Sequence, residues 1–225
     1  MKTGIDQDAL IEMFANAGAK QGEQVRQAVR QATLGALQGR ELTLKNIRDA
    51  LKTVAQSASA GAAQNVLPPV DVEGLLNSAV AGMDDALLKA VDANRVALQQ
   101  FVDQGVGLQE KTLKKAVGDL EKFEDTLIGV VRKSSEAAGA QLGPMWEQVL
   151  EKLQAGGSLS GARASSTAEQ LVQQMQTAMR DSRSAGLRAA QTMAESYSTL
   201  VSGVLIGMSE ALTQGGAASK PRGKK

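Results

Sequence analysis

Glu121, Glu124 and Asp125 form the grouping closest to a metal-ligand pattern in this chain. Carboxylates three and four residues apart share one face of a helix, and helical di-iron bundles complete such a set with Glu-x-x-His pairs. The sequence contains no His, and Lys114, Lys115 and Lys122 stand beside the cluster. A solvated, ion-paired face is therefore expected there, and no metal is assigned. Ser134, Ser135 and the serines between 158 and 166 have no imidazole partner and fall in no Ser-x-x-Lys nucleophile motif. GVGLQE at 105–110 begins like a dinucleotide loop, but it lacks the third glycine and a preceding strand. Because Cys is absent too, thiolate catalysis, disulfides and Cys/His sites for zinc, haem or iron–sulfur clusters are excluded. No catalytic residue and no cofactor is expected; the chain reads as non-enzymatic.

The elements that carry these residues follow from composition. Of 225 residues, 43% are hydrophobic but only 2% are aromatic. A core must then be built from Ala, Leu and Val, which favours thin, closely packed helices, and an all-α fold is expected. Charge is unevenly placed: residues 1–214 carry 21 basic and 24 acidic side chains, and residues 215–225 carry four basic and no acidic ones. A weakly acidic body argues against an extended phosphate-binding face, so no specific nucleic-acid recognition is expected. Asp6, Asp8 and Glu12 interrupt any apolar run of an export signal, and a cytoplasmic chain of bacterial type is anticipated. The uncharged stretch between Glu195 and Glu210 is 14 residues long, whereas a spanning helix needs about 18 or more. No transmembrane segment is expected.

Periodicity divides the chain. Residues 1–65 read as an N-terminal helical pair. The first helix is capped by Asp6 and runs to Gln38, with Leu10, Phe14, Ala17, Val25, Val29 and Ala32 on one side; the second lies in 41–56 and fades through the Ala/Gly/Ser run to Gln64. Its face is Leu44, Ile47, Leu51, Val54 and Ala58. Pro68 and Pro69 break the chain, and Asp71 can cap the next helix. Residues 66–135 form one long heptad-patterned helix or a helical hairpin: Leu76, Val80, Met83, Leu87, Ala90, Asn94, Ala97 and Phe101 step alternately by four and three. An unbroken helix over 71–134 would extend about 96 Å, against a radius of gyration of roughly 17 Å for a compact chain of this length. A weak point is placed at Gly105–Gly107. Residues 136–165 read as a short helix opened by Pro144, containing Met145, Trp146, Val149, Leu150 and Leu153, followed by the flexible connector AGGSLSGARASS at 155–166. Residues 166–214 form a long C-terminal helix started by a Ser166–Glu169 capping box, and 215–225 a disordered basic tail.

Three binding features stand out on these elements. The heptad residues Leu76, Val80, Met83, Leu87, Asn94 and Phe101 are candidates for self-association, with Asn94 able to fix register in a coiled coil or, in a bundle, to bond within its own chain. Leu200, Val204, Leu205 and Met208 are candidates for contact with a hydrophobic surface, next to the small-residue repeat Thr199, Gly203, Gly207 and Ala211. Lys220, Arg222, Lys224 and Lys225 offer weak, salt-sensitive contacts to an anionic partner.

ELTLKNIRDALKTV (41–54) and SGVLIGMSEAL (202–212), with long low-aromatic helices between them, resemble the ends of an uncharacterised proteobacterial family of helical proteins. In composition and organisation the chain is also similar to phasins, the proteins that coat polyhydroxyalkanoate granules. That resemblance implies Ala/Gln-rich amphipathic helices in an elongated bundle or coiled coil. It implies a cytoplasmic, granule- or membrane-surface-associated homo-oligomer that adsorbs to a hydrophobic inclusion or lipid. The alternative is a soluble coiled-coil scaffold or adaptor that binds a protein partner.

Overall fold

The Asp6 carboxylate accepts the Ala9 amide at 3.0 Å and opens the first helix, as its position anticipates. In the computed structural model, which describes residues 4–18, 20–38, 42–65, 71–103, 110–181, 201, 204 and 205, these residues build seven helices and no strand. They are α1 (Gln7–Asn16), α2 (Gly22–Gln38), α3 (Leu44–Gln64), α4 (Val72–Asp103), α5 (Glu110–Ala137), α6 (Gly139–Gly156) and α7 (Leu159–Asp181). The fold is all-α.

The single helix expected from Asp6 to Gln38 is two. Ala17 leaves helical geometry (φ −75°, ψ 123°), and the Asn65 side-chain amide donates to the carbonyls of Phe14 at 2.8 Å and Ala17 at 2.9 Å. Those carbonyls are satisfied from the end of α3 instead of by continuing the helix. Gln21 then accepts the Gly18 amide at 2.7 Å as α2 begins. Region 1–65 thus holds three helices, and the expected pair is corrected.

Helix α3 starts at its Thr43 cap, which accepts the Asn46 amide at 3.2 Å, and runs to Gln64 without fading. Ile47, Leu51, Val54 and Ala58 are buried as expected, and Leu44 is half-buried. The Ser/Ala/Gly run stays helical because it is a contact face: a Cβ at Gly61 would collide with Phe14 and the Ile11 carbonyl of α1. Gly82 plays the same part between α4 and α2, against Val29 and the Arg26 carbonyl. Small residues let these helices approach until backbone meets side chain.

Helix α4 is the hub, packing on α2, α3, α5, α6 and α7. Asp71 caps it, accepting the Gly74 amide at 2.7 Å. Leu76, Val80, Met83, Leu87, Ala90, Asn94 and Ala97 are all buried within the one chain. The seam anticipated as a self-association surface is therefore covered by the molecule's own helices. The reason is that an apolar stripe states only that a face must be buried, and here the helices packed on α4 are near enough to bury it. Asn94 donates its amide to the Ala90 carbonyl at 2.9 Å, the bundle alternative. The side chain of Phe101 and the Gly105–Gly107 weak point lie outside the described residues. Helices α4 and α5 both flank α3 and α7 and touch each other, so 71–134 is no single rod.

Three carboxylates along α4 form ion pairs with three different helices. Asp85 takes the Arg26 guanidinium of α2 in two bonds, 2.7 and 2.9 Å. That hydrogen bonding, opposed by partial desolvation, raises the Arg26 pKa above its ordinary value. Asp92 receives Arg163 of α7 at 3.0 Å, and Glu73 pairs with Lys152 of α6. The core they surround is mostly Leu and Ala, each fully buried Leu contributing about 1.5–3 kcal/mol relative to exposure.

Two further boundaries differ from the sequence reading. Helix α6 begins at Gly139, whose φ of +66° turns the chain out of α5, so Pro144 lies inside the helix and does not open it. The flexible connector expected over 155–166 shrinks to Gly157 and Ser158, and α7 starts at Leu159, not at Ser166. Ser166 donates its hydroxyl to the Arg163 carbonyl as an interior helical residue.

Candidate functional site

The early start of α7 has a tertiary cause. Its first amides face carboxylates brought from two other helices: Asp84 of α4 accepts Leu159 N at 2.7 Å and Ser160 N at 3.0 Å, and Glu124 of α5 accepts Ser158 N at 2.9 Å and Ser158 Oγ at 3.0 Å. Ser158 Oγ in turn accepts the Gly161 amide at 2.9 Å. The free N–H groups and positive dipole end of a helix are what carboxylates stabilise best. A Cβ at Gly161 would run into the Glu124 carboxylate, which would have to shift from its place. This arrangement, the N-lock, is filled by the protein's own groups and leaves no vacancy for an external anion. It also resolves the acidic cluster: Glu124 faces α7, whereas Glu121 and Asp125 are exposed. Among the described residues no group of His, Cys, Asp or Glu could hold a metal ion.

A different situation holds between α3 and α5. There the facing positions include Ala60 and Ala63 on α3 and Gly129 and Ala137 on α5, which lack the bulk to close the space, and a groove of about 990 Å³ results. Leu44, Val130 and Leu142 add apolar lining, and Ser59 forms part of the surface. Directly behind Ser59 sits Trp146, fully buried, its indole N–H donating to Ser59 Oγ at 3.0 Å. Arg48 and Lys52 line the groove from α3, and Lys122 and Lys133 from α5. All four are exposed. None of them makes an ion pair among the described residues, whereas Asp49, an anion of the lining, is engaged by Lys45 at 3.0 Å. Asp125 is the other anion of the lining.

Sequence reasoning did not find this groove. No motif or spacing singles out Arg48, Lys52 or Lys133, and the available signal is only the run of small residues in α3.

The surface-contact residues proposed from sequence are distributed otherwise. Leu205 and Val201 are fully buried, and Val204 is half-buried against the core. An apolar face that finds the chain's own core is not available to an external surface in this conformation, which corrects the assignment of Leu205. Leu200, Met208 and the tail residues Lys220, Arg222, Lys224 and Lys225 lie outside the described residues. Ser134 and Ser135 donate to the Val130 and Gly143 carbonyls, which is structural bonding. No helix among the described residues is long and apolar enough to cross a membrane.

The fold and its groove define an all-α helical bundle organised around one central helix. A family model described as a family of unknown function (DUF6781) matches residues 1–214, and the chain belongs to that family. No curated protein and no solved structure matches it.

Proposed function

We propose that this chain is a non-enzymatic binding module, a helical adaptor that receives a protein partner in the α3–α5 groove. The observation that carries this reading is the groove itself: an elongated space of about 990 Å³ with an apolar floor of small residues and charged rims. Its dimensions are those of sites that take a side-chain-bearing segment or a small ligand. Among the residues whose burial is described, Leu159 alone is an exposed large hydrophobic residue.

A photo-crosslinking residue placed at Ala60, compared with one at the exposed Glu147 of α6, tests the reading in the native host. Specific crosslinking to another protein from Ala60 but not from Glu147 supports it. Equal crosslinking from both positions sinks it.

The second reading is the phasin-like one, adsorption to a polyhydroxyalkanoate granule or lipid surface with self-association. What favours it is the small-residue core: Ala-rich interfaces bury little area per residue, so a bundle of this kind loses less on opening than one built from large side chains. Adsorption would require α7 and the side chains of Val201, Val204 and Leu205 to leave the core. Co-sedimentation with polyhydroxybutyrate particles tests it. Pelleting that persists in high salt favours adsorption through apolar faces, and a protein left in the supernatant at both salts retires the idea.

A further inference from the structure

We infer that the natural occupant of the α3–α5 groove is an acidic amphipathic helix of a partner protein; this rests on the adaptor reading and adds the chemistry of the partner. The groove is a local reversal of the molecule's electrostatics. Residues 1–214 carry more acidic than basic side chains, yet the groove is lined by four cations, Arg48, Lys52, Lys122 and Lys133, against two anions, Asp125 and the Lys45-bound Asp49. Asp85, Asp92 and Glu73 each pair with a cation elsewhere in the bundle. The four groove cations have no such answer among the described residues.

Their spacing selects among anionic partners. Arg48 and Lys52 stand one helical turn apart on one wall. Lys122 and Lys133, on the opposite wall, are separated by eleven residues, about 16 Å along the axis at ~1.5 Å per residue. A fatty acid or single-chain lipid carries one charged head and asks for cations gathered at one mouth of an apolar slot. Here the cations are not gathered at one mouth: Lys122 and Lys133 of α5 stand far apart with Asp125 between them in the chain, and Arg48 and Lys52 line the groove from α3, which also contributes the small residues Ala60 and Ala63. A helix with a narrow apolar stripe and carboxylates on both flanks meets cations on both walls. The wall from Lys122 to Ala137 rises about 23 Å, which matches a helix of about 16 residues. The shallow floor further favours Ala and Leu over aromatic residues in the stripe.

Trp146 provides the readout. It is the chain's one tryptophan, and its hydrogen bond to Ser59 places it immediately behind the groove floor. The probes are a panel of tryptophan-free, amidated amphipathic peptides of about 16 residues that vary in their Ala/Leu stripe. Each is made in a Glu-flanked and a Lys-flanked version and titrated into the full chain. The Glu-flanked set is expected to shift Trp146 emission saturably, to weaken with added salt, and to bind at least about tenfold more tightly than its Lys-flanked twins. The double variant Lys52→Glu/Lys133→Glu should lose that preference while melting as the wild type does.

Equal binding of both versions, no binding by either, or an unchanged preference in the folded double variant overturns the proposal. Displacement of a bound peptide by palmitate, or stronger binding to phosphatidylglycerol vesicles than to any peptide, overturns it in favour of an amphiphile. The crosslink from Ala60 separates the partner's chemistry from the adaptor role. A protein captured there whose contacting segment is not acidic removes this inference and keeps the adaptor reading, whereas equal crosslinking from Ala60 and Glu147 removes both.

Discussion

The N-lock and the α3–α5 groove are both places where charged side chains from different helices converge, acidic at the first and mainly basic at the second, yet they are opposites in how that charge is met. At the N-lock, the carboxylates of Asp84 and Glu124 accept hydrogen bonds from the Ser158, Leu159 and Ser160 amides, and Gly161 leaves the Glu124 carboxylate its place. In the groove, four cations face solvent across a floor of alanine and glycine. Charges answered inside the chain belong to the architecture, and charges gathered along a concavity without an answer point outward. The difference teaches where a substitution should unfold the molecule and where it should alter only what the molecule binds.

The contrast breaks first if its architectural side is weak. Leu87→Ala removes a fully buried side chain from α4 and should cost about 3 kcal/mol, measured by urea denaturation. The denaturation midpoint of the wild type should be independent of protein concentration, because the seam is closed within one chain; a concentration-dependent midpoint would restore the coiled-coil dimer. Asp84→Ala deletes the acceptor of two α7 amides and should cost about 2–3 kcal/mol, with Asp84→Asn recovering part of the loss in the same assay. Gly161→Ala should cost about 1–2 kcal/mol by displacing the Glu124 carboxylate; a neutral outcome would mean that the lock is looser than its hydrogen bonds imply. On the other side, Lys52→Glu/Lys133→Glu should leave the melting temperature within about 2 °C of wild type. A large loss of stability there would show that the groove cations serve the fold, and would erase the contrast.

Much of the fold was legible locally. Asp6 and Asp71 cap where their side chains say they should, and Ile47, Leu51, Val54 and Ala58 bury the face their spacing defines. What the pattern of one helix cannot state is its counterpart. The heptad from Leu76 to Ala97 reads equally well as a dimer seam and as the inside of a bundle, and only the arrival of the helices packed on α4 decides between them. AGGSLSGARASS has the composition of a linker, but carboxylates 34 to 76 residues earlier in the chain hold its amides and turn most of it into helix. The Asn65 clasp that ends α1 acts across 48 and 51 residues. The groove was illegible for a related reason: an empty space is a property of two facing helices, and Ala60 and Gly129 acquire meaning only when they are opposed.

The N-lock also dictates an order of events during synthesis. Asp84 leaves the ribosome 76 residues ahead of the Ser160 amide that it holds, an interval of the order of 4–15 s at about 5–20 residues per second. Throughout that time the side of α4 that α7 will cover lacks its partner, and from its own emergence so does the corresponding side of α5. A nascent polypeptide of this design therefore spends seconds as an open bundle with a hydrated carboxylate at the point of closure, and translation speed through residues 85–160 sets how long a chaperone has to find it.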